Sequence, residues 1–250
     1  MSKEAISCVV LAAGKGTRMK SDRAKVLHEI LSRPMIHHVL DAVMSLGLAR
    51  IIVVIGHQRE RVREALAPYP VAAVVQEQQL GTGHAVLCAG DLLQRTGGTA
   101  LIVCGDVPLI RPGTLQAMLA DHLARLPSLT VMTTTLQDPA GYGRIVSDGR
   151  RRVLRIVEEQ DASPAEKAIT EINAGIYCAA IDFLLDALAR VNTDNSQGEI
   201  YLTDIVSIAN DSGLLVNRFS GASAEEVLGV NSVEELETAR EIMRRRREGQ

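Results

Sequence analysis

Several things are missing from this chain, and each absence removes a class of function. No apolar run is long enough to cross a bilayer. Runs such as residues 9–13 and 51–55 are strand-length, well short of the roughly 18 residues a membrane helix needs. The N-terminal MSKEAIS carries an acid and lacks the layout of a signal peptide, so a cytoplasmic location is expected. Cysteines are few. Cys8, Cys88, Cys104 and Cys178 form no C-x-x-C pair, which argues against structural zinc. Cys8, Cys104 and Cys178 sit in apolar strand-like runs and read as small buried hydrophobes in a reducing compartment. There is no basic excess either. The 27 Lys and Arg against 30 Asp and Glu leave a net charge of -3, which speaks against a nucleic-acid partner. The six histidines make no H-E-x-x-H set. His37 and His38 are consecutive on a helix-like segment and read as structural, and His57 follows Gly56 as a loop residue. The run Arg244–Arg247 ends a helix-like segment, where cations suit the helix dipole. No nucleophile triad, internal repeat or low-complexity linker is readable.

What is present is a chain able to fold. Its 250 residues, 46% hydrophobic, can bury one sizeable core with a smaller lobe. At 23% charged it is not a disordered composition. The first half alternates strand and helix signals. Strands are expected at 7–14, 50–56, 71–76 and 99–106, and helices at 34–46, 58–66, 84–93 and 112–125. The strands are apolar without in/out alternation, which implies helices on both faces of a parallel sheet. The expected fold is α/β, a Rossmann-like doubly wound sheet, mixed and mostly parallel. The second half reads as extended segments at 129–136, 143–148, 153–159 and 171–181, which form a sheet extension or smaller lobe. Ser232 and Glu235 open the last helix with a capping box.

Ligands in such sheets sit at the carboxyl ends of the strands. Three strands run into polar loops there, GKGTR, QEQQLGTG and GDVP, which are expected to converge. In the first, Gly14 and Gly16 let backbone N–H groups approach an anion. Arg18 and Lys25 add positive charge suited to a triphosphate. Two common phosphate loops do not fit. Lys15 precedes Gly16, against the Walker A order, and Met19 stands where the dinucleotide fingerprint needs glycine. Asp106 closes an apolar strand, where a carboxylate can hold Mg²⁺ among phosphate oxygens.

LAAGKGTRM followed by KVLH resembles the signature of the sugar-phosphate nucleotidyltransferases. The likeness continues in order through QEQQLGTGHAV, GDVPLI, GYGRIV, VEEQDA, EINAGIY, GEIYLTDIV and GVNS, essentially the whole chain. Within that family it is similar to the uridyltransferases that act on N-acetylglucosamine 1-phosphate. The resemblance implies a nucleotide-diphospho-sugar transferase fold with a sugar-binding lobe. It implies a nucleotide site at Leu11, Ala12, Ala13, Gly14 and Lys25, and a uracil pocket at Gln76, Gly81 and Thr82. Gly143, Glu158 and Asn173 match the sugar-binding positions, with Tyr142 and Tyr201 closing the sugar face. Asp106 and Asn231 match the Mg²⁺ ligands. Arg18 and Lys25 would neutralise charge as the sugar phosphate attacks the α-phosphorus of UTP and pyrophosphate leaves in line. No covalent enzyme intermediate is expected.

Several positions depart from the family pattern. Ala24 stands where a proline is common, Cys104 where an aromatic is common, and Ala174 where some relatives have threonine. The implied organisation is a nucleotidyltransferase domain over 1–229 and a connector helix over 230–250. The bifunctional relatives continue into an acetyltransferase β-helix, whose hexapeptide repeats are absent here. A monomer or weak oligomer is therefore expected. The alternatives are transfer to another sugar 1-phosphate, such as glucose 1-phosphate, and a non-catalytic nucleotide-sugar sensor.

Overall fold

The computed structural model describes residues 5–249. Residues 1–4 and 250, on which part of the N-terminal and last-helix readings fell, lie outside it. The first half contains β1 (Ile6–Ala12), β2 (Glu29–Ile30), β3 (Arg33–Pro34), α1 (Met35–Met44), β4 (Arg50–Ile55) and α2 (Arg59–Leu66). It continues with β5 (Ala72–Val75), α3 (Thr82–Cys88), α4 (Gly90–Thr96), β6 (Thr99–Cys104) and α5 (Pro112–Arg125). The second half adds β7 (Leu129–Thr135), β8 (Arg144–Ser147), β9 (Val153–Val157), α6 (Pro164–Lys167) and β10 (Glu171–Ala180). It ends with α7 (Ile181–Arg190), α8 (Ile205–Asp211), β11 (Val216–Phe219) and α9 (Val233–Glu248).

The main sheet runs β11-β7-β10-β6-β1-β4-β5. β6, β1, β4 and β5 are mutually parallel. β10 is antiparallel to both neighbours, and β8 and β9 extend the sheet from it as a flap. The sheet is thus mixed and mostly parallel, as the apolar strands imply. β1 shows the reason. Cys8, Val10 and Ala12 pack with residues of α1, α2 and α5 on one face. Val9 and Ala13 pack with residues of α3, α4, α7 and α8 on the other. A strand dry on both sides is apolar on both faces, and each large aliphatic side chain buried there, such as Val9 or Val10, contributes about 1.5–3 kcal/mol.

The helix expected over 84–93 is two helices. Ala89 N–H donates to Val86 O at 2.9 Å, a tight i+3 turn, and Gly90, a weak helix former, begins α4. The last helix opens on the expected capping box. Ser232 accepts from Glu235 N–H, and the Glu235 carboxylate reaches back to the Ser232 N–H. Leu236, Ala239 and Ile242 pack with Met19, Ile30, Met35 and Leu109, while Arg240 donates to Glu29 O and Arg246 to Leu109 O. The final helix therefore braces the segments that follow β1 and β6. Among the described residues no helix is long and apolar enough to cross a membrane.

Leu101, fully buried in β6, should cost about 2–5 kcal/mol when replaced by alanine. Leu126, 75% exposed, caps α5 at φ 51°. Leu126→Gly should stabilise by about 1 kcal/mol by relieving the left-handed backbone. Urea unfolding of the two variants reads both.

Candidate active site

β1 has β4 on one side and β6 on the other, so the chain diverges at its carboxyl end and leaves a crevice. The crevice is a cavity of about 350 Å³. Leu11, Ala12, Ala13 and Gly14 form one wall with Lys25 and Asp106, and Gln76, Gly81 and Thr82 form the other. The three polar loops therefore converge. A glycine at 16 is required by Lys25: its φ is 66°, and a Cβ there would lie 2.6 Å from the Lys25 Cβ. Gln79, which sequence reasoning left out, donates to Ala13 O at 2.9 Å and tethers the glycine loop.

Lys25 is the hinge of the site. Its Nζ donates to Asp106 Oδ2 and, at 2.9 Å, to Asn231 Oδ1. Three local devices produce this meeting. Ala24 N–H is held by Gln58 Oε1 at 3.1 Å, a side-chain anchor in place of proline stiffness. Val230 N–H donates to Asp106 O at 2.8 Å, tying the two ligand-bearing segments together. Ser232 caps α9, which leaves the Asn231 carbonyl free for Lys25. One ammonium reaches a carboxylate and an amide oxygen at once, so both oxygens lie around a single point. They are hard oxygen donors of the kind a divalent cation bound to phosphates takes.

On the opposite wall Gln76 is buried and its amide donates to Gly81 O at 3.0 Å and meets His84 Nδ1 at 3.1 Å. Gly81 has φ 104°, and a Cβ there would lie 2.6 Å from Ile200 O. Thr82 Oγ1 accepts from Leu202 N–H at 3.1 Å. Residues 200–202 thus set the shape of this wall. Nothing local in the sequence signals that contact, which spans 120 positions.

Gly143, Glu158 and Asn173 meet farther out. A Cβ on Gly143 would lie 3.4 Å from Glu158 Oε2 and 3.6 Å from Asn173 Cβ. The β10 register shifts between Asn173 and Tyr177, with Gly175 at φ 71°, a bulge of the kind that re-aims side chains beside sites. Asn173 donates to Tyr177 Oη at 2.6 Å and accepts from Gly175 N–H at 3.0 Å. Cys104 Sγ lies 3.5 Å from Gly175 O, and burial pushes its thiol up to about 12. Ala174 is buried in the core. Glu158 and Glu159 follow β9 in a turn, so the turn and not strand alternation separates them. Glu158 accepts from Thr203 Oγ1 at 3.0 Å, and Glu159 pairs with Arg144 at 2.7 Å. Arg18 lines a second cavity with Gly141, Glu158 and Glu159, apart from the Lys25 contacts. Tyr142 Oη accepts from Gly229 N–H at 3.2 Å, and Tyr201 Oη donates to Asp161 at 3.1 Å. Both hydroxyls are held by protein groups.

Burial holds the Glu158 carboxyl above its usual range, aided by Asp204, Asp161 and Glu199 and opposed by the Thr203 hydrogen bond. A carboxyl raised in the fold penalises the folded state above its folded pKa, and the penalty fades as pH falls through that value. Glu158→Gln should therefore raise the Tm of the unliganded protein near pH 8. Scanning calorimetry at pH 8 and pH 5 should show the gain shrinking in acid.

Comparison with known proteins shows the family and the fold. The family profile described as the MobA-like NTP transferase domain matches residues 8–194. The bifunctional protein GlmU of Desulfotalea psychrophila is 52% identical over 248 residues, covering 99% of this chain and 73% of that protein. Its namesake in Geobacter metallireducens is 49% identical over 242 residues, 96% of this chain and 51% of the relative. The chain thus spans about half the length of that second relative. Among solved structures, a UDP-glucose pyrophosphorylase complexed with UDP-glucose superposes with a TM-score of 0.78 at 18% identity, covering 97% of this chain and 99% of the other. A nucleotidyl transferase from Methanothermobacter thermautotroptrophicus gives 0.67 at 22% identity, with the same coverage. These two likenesses show the fold. By its family profile and its GlmU relatives, the chain belongs to the MobA-like NTP transferase family.

Proposed function

We propose that the chain transfers the uridylyl group of UTP to N-acetyl-α-D-glucosamine 1-phosphate, releasing pyrophosphate. The observation that carries this is the Lys25 ammonium shared by Asp106 and Asn231, at a cavity whose far wall is Gln76, Gly81 and Thr82. Two anions must be brought together, and the groups present are those that reduce their repulsion. The attacking phosphate is already ionised near neutral pH, so no strong general base is needed. The glycine loop approaches the triphosphate through its backbone. Lys25, freed from Asp106 when substrate arrives, faces the phosphates, and Arg18 guards the sugar-side approach. Gln76 and the 81–82 backbone suit one pyrimidine ring. Gly143, Glu158 and Asn173 suit the N-acetyl sugar.

Asp106 and Asn231 are the residues that would hold Mg²⁺. Bound there, the ion supplies charge neutralisation and template geometry for the phosphates. Positioning and electrostatics then carry the reaction. The nucleotidyltransferase domain is proposed as residues 1–229, with 230–250 as a connector helix whose entry carries Asn231 into the site.

Pyrophosphate release should be observed with UTP, Mg²⁺ and N-acetylglucosamine 1-phosphate, and should fall sharply with glucose 1-phosphate. Asp106→Ala should lower kcat/KM by about 10²–10³, and chelation of the metal should abolish turnover until Mg²⁺ is restored. Unchanged turnover in Asp106→Ala would overturn the metal assignment. Tight UDP-sugar binding with no pyrophosphate release would instead favour a sensor.

A further inference from the structure

Arg144 is among the largest fully buried side chains of the fold, 1% exposed. A buried guanidinium is a poor stabiliser. Desolvation offsets most of its attraction, and apolar replacements of buried ion pairs are often neutral or better. Its Nε is buried without a partner, which adds to the cost. Its position beside Gly143 offers a different reason for its presence.

Arg144 Nη1 donates to Tyr142 O, and Nη2 donates to Glu159 Oε2 at 2.7 Å. The same Glu159 oxygen accepts from Gly141 N–H at 3.1 Å, and Lys167 approaches the other at 3.6 Å. Burial pushes the Glu159 carboxyl up, but its bonds to Arg144 and Gly141 outweigh this and hold it below its usual range. The pair therefore grips the backbone on both sides of Tyr142. The peptide joining Tyr142 to Gly143 is planar and trans, so its carbonyl and N–H point in opposite directions. A guanidinium on the Tyr142 carbonyl fixes the Gly143 N–H away from itself. Gly143 O meanwhile accepts from Asn173 N–H at 2.8 Å, so the next peptide is fixed as well.

We propose that Arg144, braced by Glu159, is a positioning residue that aims the Gly143 N–H at the sugar phosphate substrate. This rests on the transfer reaction proposed above. Arg144 touches no substrate. It acts through the Tyr142–Gly143 peptide, and Glu159 is the second half of the clamp, not a spare ligand beside Glu158.

Lysine cannot hold two oxygens in the fixed fork of arginine, so Arg144→Lys is the test. Its KM for N-acetylglucosamine 1-phosphate should rise about tenfold, with KM for UTP and kcat within about twofold. Hydrogen exchange should speed up in the peptide covering residues 139–143 and stay unchanged in the glycine loop at 11–18. An unchanged sugar-phosphate KM, or equal rises for both substrates, would overturn the proposal. If Arg144→Lys does not fold, Glu159→Gln takes its place, with a rise of about threefold expected in the same constant and no rise counting against the clamp. If the unaltered protein shows no turnover with this sugar phosphate, the proposed reaction fails by itself, and exchange still decides the clamp. Selective opening of 139–143 supports it, and a uniform loss of protection overturns it.

Discussion

One ammonium group organises the site. Lys25 reaches Asp106 and Asn231, residues 81 and 206 positions away in the chain. That contact exists only if β1 and β6 are neighbours, the glycine loop is tight enough to let the lysine stem pass, and α9 docks so that Asn231 faces inward. The three conditions are met by different physics. Parallel pairing sets the first, the missing Cβ of Gly16 the second, and a serine cap with an apolar helix face the third. Loss of any one would leave a partly buried charge without its partner.

The two halves of the site are electrostatically unlike. Around the glycine loop the cations lining the cavity are Lys15 and Lys25. Around Gly143 and Asn173 the carboxyls of Glu158 and Asp204 are held above their usual range, chiefly by burial. A phosphate suits the first environment, and sugar hydroxyls, which need acceptors, suit the second. The segment at 200–203 joins them. Ile200 bonds the backbone of Leu80 and Gly83, Leu202 bonds the Thr82 hydroxyl, and Thr203 bonds Glu158. A ligand spanning both environments would lie against one continuous strap.

Much of this was legible along the chain because it is local. The both-face burial of β1 follows from residues 8–13 being apolar at every step. The α9 cap follows from Ser232 and Glu235 at the right spacing. The glycine loop, Asp106 at a strand end and the order of the motifs point to a nucleotidyltransferase, and the family profile agrees. The break at Ala89 was not legible, because 84–93 carries a continuous helical pattern and a single glycine, Gly90, weakens a helix without by itself ending it. Arg144 was missed for a related reason. An arginine opening an extended segment reads as a surface charge until the Tyr142 carbonyl and Glu159 enclose it. The extended segment expected over 153–159 stops at Val157, so Glu159 lies in the turn beyond it, where it pairs with Arg144.

The sequence by itself determined the fold class, the strand and helix order and the glycine-rich loop after the first strand, since these depend on periodicity, glycine and capping within a few residues. Only the tertiary structure decided which groups meet. The sharing of Lys25 by two oxygens, the strap from 200 to 203 and the clamp on Tyr142 are contacts between segments far apart in the chain. Such contacts leave no local pattern, because their geometry is set by how layers pack and not by which residues are adjacent.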